Sequence, residues 1–165
     1  MPLVLHPATP EDALAIARLR TAVAEHLTSR YGKGHWSSAG TERGVLFQLR
    51  TTKMYVARDE SGVIATLILA TKKPWAVDRS YFTRCEKPLY LTDMAVAPEL
   101  QRRGIGRLCI EEAKRIGREW PADAVRLDAY DAEAGAGDFY RKCGFREVGR
   151  AIYRQTPLIY FEMLL

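Results

Sequence analysis

Two adjoining stretches, Leu91-Thr92-Asp93-Met94-Ala95-Val96-Ala97-Pro98 and Gln101-Arg102-Arg103-Gly104-Ile105-Gly106-Arg107, decide the fold. The first is an apolar run of strand character that Pro98 ends. The second is a glycine loop leading into Ile105, Cys109, Ala113, Ile116 and Trp120, which recur at helical spacing. The first amides of a helix lack internal partners and carry the positive end of its dipole, so they attract phosphate. Gly104 and Gly106 let the backbone approach an anion closely, and Arg102, Arg103 and Arg107 add formal charge. The geometry suits a pyrophosphate. It is not the dinucleotide fingerprint, because Cys109 stands where the third glycine would fall, nor a P-loop, because no Lys-Ser/Thr follows.

Upstream of that stretch, a short strand is expected at Leu3 to His6. Thr9 offers an N-cap hydroxyl, Pro10 suits the first helical position, and Ile16, Leu19, Val23 and Leu27 share one face of a helix reaching about Thr28. Ser29 to Gly40 reads as a loop, and Thr41 caps a second helix through Val45, Leu46 and Leu49. Met54 to Arg58 and Val63 to Thr71 form a hairpin around Asp59 to Gly62, and Lys72 to Lys87 is a long connection before the strand Leu89 to Ala97. Downstream follow a strand at Ala124 to Tyr130, a short helix from Gly137 to Cys143 stopped by Gly144, and strands at Arg146 to Tyr153 and Leu158 to Leu164. The order is β-α-α-β-β-β-α-β-α-β-β, an α/β (α+β) arrangement with a largely antiparallel first half.

The chain of 165 residues has no repeat, low-complexity tract or Gly/Ser linker, so 1–165 reads as one domain. Hydrophobic residues at 47% and charged residues at 27% give a globular balance. The longest apolar stretch, around Val63 to Ala70, is far short of the roughly 20 residues that span a bilayer. No basic run precedes an apolar core at the N-terminus, so no signal peptide is expected there and the expected compartment is cytoplasmic. Cys85, Cys109 and Cys143 are scattered, as are His6, His26 and His35, so no disulfide framework or metal site is expected. The net charge of +5 would attract polyanions, but its densest cluster is the loop at 102–107, which phosphate binding already explains. A nucleic-acid module or a membrane-bound protein is therefore not expected.

Gln101-Arg102-Arg103-Gly104-Ile105-Gly106 resembles the Gln/Arg-x-x-Gly-x-Gly/Ala signature of the GNAT superfamily of N-acetyltransferases. Phe139-Tyr140-Arg141-Lys142-Cys143-Gly144-Phe145 resembles the family's second signature, Phe-Tyr-x-x-x-Gly-Phe, at the expected distance. The element order agrees over nearly the whole chain. The resemblance implies a single N-acetyltransferase domain over 1–165, with a central mixed, mostly antiparallel sheet of about seven strands and about four helices. It implies acetyl-CoA as co-substrate and no metal. The pantetheine arm would lie between the fourth and fifth strands, which splay apart in the family. The backbone of Met94, Ala95 and Val96 would pair with that arm, while Gln101, Arg102, Arg103, Gly104, Ile105, Gly106 and Arg107 would hold the pyrophosphate. An amide near Met94 would polarise the thioester carbonyl.

The resemblance places Tyr140 as the acid that protonates the departing thiolate. A phenol with a pKa near 10 can donate to sulfur at neutral pH. For the base, Asp93 is the one carboxylate on its strand, where several family members carry a glutamate. Strand alternation sets Asp93 and Thr92 on opposite faces unless a bulge intervenes. A base acting through water, or an amine arriving neutral, serves equally. The family's asparagine ahead of the short helix is replaced by Glu133, though Ala136 matches, and Asp131 is an alternative pantetheine contact. The acceptor would border Ser29 to Gly40 and Lys72 to Lys87, whose Tyr31, His35, Trp36, Trp75, Tyr81 and Phe82 are wall material or packing. The expected activity is direct acetyl transfer from acetyl-CoA to a primary amine of a small molecule or peptide. The alternative is a non-catalytic acyl-CoA sensor of the same fold. No thiol lies in a motif with His and a carboxylate, which disfavours a covalent enzyme intermediate. A homodimer is common in the family, and the assembly is open.

Overall fold

Alternating and helical hydrophobic periods become seven strands and four α-helices in the computed structural model, which describes residues 2–165. The strands are β1 (His6–Pro7), β2 (Lys53–Asp59), β3 (Gly62–Ala70), β4 (Pro88–Val96), β5 (Ala124–Tyr130), β6 (Arg146–Tyr153) and β7 (Thr156–Leu164). The helices are α1 (Ala13–Tyr31), α2 (Glu42–Thr51), α3 (Ile105–Glu119) and α4 (Gly137–Lys142). The strands order as β1-β2-β3-β4-β5-β7-β6, with β4 and β5 parallel and the other described registers antiparallel. The α/β class and the element order are those expected from the sequence. Contacts sort the chain into two compact units, Met1–Leu69 with Asp93–Ala113, and Ala70–Thr92 with Lys114–Leu165. The divisions fall inside β3 at Leu69/Ala70, inside β4 at Thr92/Asp93 and inside α3 at Ala113/Lys114.

In the first unit, β1 is shorter and later than the Leu3 to His6 expectation. His6 pairs with Val56, and the Ala8 amide donates to the Met54 carbonyl at 2.8 Å. The first cap also differs. Thr9 donates its own amide to Asp12 Oδ2 at 2.9 Å, and its hydroxyl donates to the same oxygen at 3.3 Å. Asp12 therefore satisfies the turn entering α1, and Arg58 Nη2 holds its other oxygen at 2.6 Å. Gly32, at φ 82°, ends α1 by donating to the Thr28 carbonyl. Thr41 caps α2 as expected, its Oγ1 accepting from the Gly44 amide at 3.1 Å. Ile16, Val45, Val56 and Leu67 are fully buried in this unit. Each contributes about 1.5–3 kcal/mol by leaving water.

In the second unit, β5 pairs with β7 from Ala124↔Leu164 to Tyr130↔Leu158. β7 returns from β6 through Arg154 and Gln155, whose φ values of 46° and 68° give the twist a two-residue hairpin needs. Thr156 and Pro157 join β7, two residues before the expected start. The strand core of this unit holds Tyr90, Leu127, Tyr160 and Phe161. Within it lies a buried ion pair. Arg126 Nε donates to Glu162 Oε2 at 3.4 Å, and Arg126 Nη2 donates to the Thr83 carbonyl at 2.5 Å. Arg126 Nη1 reaches Tyr90 Oη at 3.3 Å, and the guanidinium lies over the Phe82 ring. Burying both charges is tolerable because their remaining donors and acceptors are occupied.

Candidate active site

Asp93 has φ 51°, a left-handed conformation inside β4. Aspartate tolerates that region better than most residues, and one such residue in a strand bulges it and re-aims its neighbours. Leu89, Tyr90 and Leu91 are buried in succession, and then Asp93 is exposed. The left-handed residue interrupts the strand's regular alternation, and Asp93 is exposed there. In the second unit the parallel register of β4 with β5 runs from Pro88↔Ala124 to Tyr90↔Arg126. It stops there although β5 continues to Tyr130.

After β4 the backbone makes a 3-10 turn at Pro98–Leu100 and enters the glycine loop. The Gln101 side chain donates to the Val96 carbonyl at 3.1 Å, strapping the loop to the end of the strand. That bond uses one of the two Nε2 hydrogens. Arg102 and Gly104 take φ values of 62° and 83°. Two left-handed residues so close turn successive amides toward one concavity, an arrangement suited to anions. The Leu108 amide donates to the Gly104 carbonyl at 3.1 Å, so the amides of Ile105, Gly106 and Arg107 belong to the unpaired first turn of α3. Arg102, Arg103 and Arg107 are exposed, and none has an ion-pair partner among the described residues. A diphosphate fits this donor set.

Two side chains that the sequence reading missed meet Asp93 in the same unit. Gln48 of α2 donates from Nε2 to Asp93 Oδ2 at 3.3 Å, and its Oε1 accepts from Arg20 Nη1 at 2.6 Å. Burial lowers the Arg20 pKa below its ordinary value, and the Asp93 charge opposes that shift. One signal of Arg20 was available. It stands four residues after Ile16, so a charge occupies the apolar stripe of α1. Gln48 left no such trace.

In the second unit, α4 carries Tyr140, which is 8% exposed. Its ring contacts Phe139, Phe145 and Phe161 at centroid distances of 5.2, 5.6 and 5.9 Å. Burial, with smaller contributions from Asp128 and Cys143, pushes its phenol well above the ordinary tyrosine value. Tyr140 is therefore a neutral donor throughout the physiological range. Gly144, at φ 93°, ends this helix as expected. Asp131 is engaged by Arg150 at 3.2 Å, and Glu133 is exposed. Burial also raises the thiols: Cys109 is pushed up to about 12, and Cys85 is raised as well. Neither offers a thiolate nucleophile.

The aromatic residues expected near an acceptor divide. Trp75 and Tyr81 line an open groove of about 1210 Å³ in the second unit, with Lys73, Arg150, Tyr153 and Tyr160. Phe82 is instead buried in that unit's core. Trp36 donates from Nε1 to the Gly32 carbonyl at 2.9 Å, closing its own loop, and Tyr31 is stacked by Arg30. His35 is exposed. Among the described residues no three His, Cys, Asp or Glu side chains form a group that could hold a metal. No described helix is long and apolar enough to cross a membrane.

A strand with a left-handed residue, a left-handed arginine-glycine loop and the open first turn of a helix stand together in one unit, with a donor set that suits a diphosphate. A family model described as "Acetyltransferase (GNAT) domain" matches residues 50–147, a span that contains both signatures. The chain belongs to the GNAT acetyltransferase family and is an acetyl-CoA-dependent acyltransferase. Among solved structures it is similar to a GNAT-family acetyltransferase from Listeria monocytogenes, at 18% identity and TM-score 0.75, covering 99% of this chain and 95% of that one. It is similar to a GCN5-related N-acetyltransferase from Rhodopseudomonas palustris, at 19% identity and TM-score 0.74, covering 100% and 97%. A third is the ribosomal-protein-S18-alanine N-acetyltransferase from Escherichia coli, at 15% identity and TM-score 0.70, covering 98% and 93%. At such identities the likeness is one of fold. A search of the curated proteins finds no match.

Proposed function

We propose that residues 1–165 form one N-acetyltransferase domain that moves acetyl directly from acetyl-CoA to a primary amine of a small molecule or peptide in the cytoplasm. The observation that carries this reading is the loop at 101–107, with its left-handed Arg102 and Gly104, unpaired helix amides and three unpartnered arginines. These groups take the pyrophosphate. The backbone of Met94, Ala95 and Val96 pairs with the pantetheine arm, and an amide near Met94 stabilises the charge that builds on the thioester oxygen.

The amine nitrogen supplies its lone pair to the acetyl carbon. The C–S bond breaks with its electron pair on sulfur, and Tyr140 gives that sulfur its proton. Asp93, directly or through water, takes the proton that the nitrogen sheds. The raised Tyr140 pKa supports the acid role, because the group stays protonated until it is needed. The exposure of Asp93 at its left-handed position supports the base role.

A thermal-shift titration with acetyl-CoA, CoA, ATP and NAD side by side tests the donor site. Binding at about 100 times the dissociation constant stabilises by roughly 2.7 kcal/mol. Shifts with both CoA species alone support the reading, and an amine panel follows; no shift with either removes it. Acetyl-CoA binding without transfer to any amine would favour the sensor.

A further inference from the structure

Of the three nitrogens of the Arg20 guanidinium, Nη1 is engaged by Gln48, while Nε and Nη2 are buried and have no hydrogen-bond partner. These two are not an arbitrary pair. Nε–H and the adjacent Nη2–H point the same way from one edge of the planar group, the fork that accepts both oxygens of a carboxylate. An unpaired charged donor shielded from water is costly, so a sequence that keeps one at an apolar helix position keeps it for a partner. The opposite edge is held by Gln48, and Gln48 is itself held by Asp93, so the fork is oriented in advance. One primary amide therefore separates a cation with a free carboxylate fork from the carboxylate proposed as the base.

We infer that the acceptor is an amine that also carries a carboxylate, an amino-acid-like zwitterion whose acid seats on the Nε–Nη2 edge of Arg20 and whose amine lies toward Asp93. This rests on the acetyltransferase reading above and narrows its acceptor. The two charges of the pair, one positive and one negative, complement the two charges of the zwitterion. Gly40 lies on the other side of the arginine, where a Cβ would sit 3.5 Å from Cδ and 4.0 Å from Nη1, the nitrogen that Gln48 holds, so its segment backs the guanidinium and leaves the fork edge uncovered by it. Gln48 is a positioning residue in this arrangement, and Arg20 is the one that reads the acid.

The test uses the full chain with acetyl-CoA and matched acceptors: the common amino acids, their methyl esters, and the amines that remain when the carboxylate is removed. The expected result is a kcat/KM preference for the free acid over its ester of about 100-fold or more, because a site built around polar groups rejects the analogue that leaves them unpaired. Arg20→Lys keeps the charge and lacks the fork, and Arg20→Gln lacks both. Each should raise KM for the acid by about 10-fold or more and collapse the acid-to-ester ratio toward one. The ratio compares two acceptors on the same preparation, so a variant that merely folds poorly lowers both rates and leaves the ratio. An unchanged ratio in both variants, or preference for esters and simple amines in the unsubstituted protein, overturns the inference. Acetyl-CoA binding with turnover of no carboxylated amine overturns it while leaving the donor site standing. No acetyl-CoA binding overturns both.

Discussion

Gln48 Nε2 lies 3.3 Å from Asp93 Oδ2, so a neutral amide on α2 holds the one carboxylate of β4. The same amide accepts from Arg20, which fixes which of its ends faces Asp93.

Asp93→Asn removes the proton acceptor and keeps the shape, the tolerance of the left-handed backbone and the hydrogen-bonding capacity there. Turnover should fall by about 10-fold or more, with acetyl-CoA affinity unchanged. Gln48→Leu should give a smaller loss seen mainly in acceptor KM. Steady-state kinetics beside donor titration separates the two outcomes, and unchanged turnover in Asp93→Asn removes Asp93 from the base role.

Gly104→Ala places a Cβ at φ 83°, where no heavy atom lies within 4 Å but the backbone itself is unfavourable. About 1–2 kcal/mol of stability should be lost through that conformation alone. Gly104→Glu adds negative charge at the proposed diphosphate site and should abolish the thermal shift with CoA. Retained affinity in the glutamate variant would sink the loop assignment.

Tyr140→Phe should lower turnover by about 10-fold or more and leave CoA binding intact. Its folded pKa lies above the ordinary value of 10.0, and the neutral phenol is the working form. The acid is therefore retained below about pH 10 and lost only as pH rises through the higher folded value. A kcat profile should show no Tyr140-dependent alkaline fall below that point. A fall centred near pH 8 that disappears in Tyr140→Phe would contradict the assignment.

Arg126→Met leaves the buried Glu162 only the more distant guanidinium of the exposed Arg146, at 3.5 Å, and Glu162→Leu leaves Arg126 buried without a carboxylate. The Arg126 and Glu162 side chains are 4% and 1% exposed, so each single variant should cost about 3–5 kcal/mol. The double variant should recover much of that loss. Urea midpoints of the three variants test this, and strict additivity of the two losses would mean that the charges do not depend on each other.

Asp12 titrates below its ordinary value. Burial alone would raise its pKa, but the Thr9 amide and the Arg58 guanidinium outweigh burial. A lowered folded pKa contributes stability above the unfolded value and loses it as pH falls through the folded one. The gap in urea midpoint between the unsubstituted protein and Asp12→Asn should therefore be present at pH 7 and 5 and should shrink at pH 3. A gap constant down to pH 3 would exclude the charged form as its source.

What could be read along the chain was what neighbouring residues impose on one another. Gly104 and Gly144 announce left-handed turns, Thr41 announces a cap, and the spacing of Cys109, Ala113 and Ile116 announces the buried face of α3, because each requirement is met within a turn or two of backbone. The strand Ala124–Tyr130 and the donor loop were legible for the same reason, and the two signatures carried the family. Arg20–Gln48, Gln48–Asp93 and Arg126–Glu162 join residues 28, 45 and 36 positions apart, and a side-chain hydrogen bond across such distances leaves no local pattern. The left-handed Asp93 belongs with them. Strand alternation assumes regular extended backbone, and an aspartate alone does not announce where that backbone departs from it. Which carboxylate faces solvent, and which arginine keeps a free fork, was decided by tertiary packing.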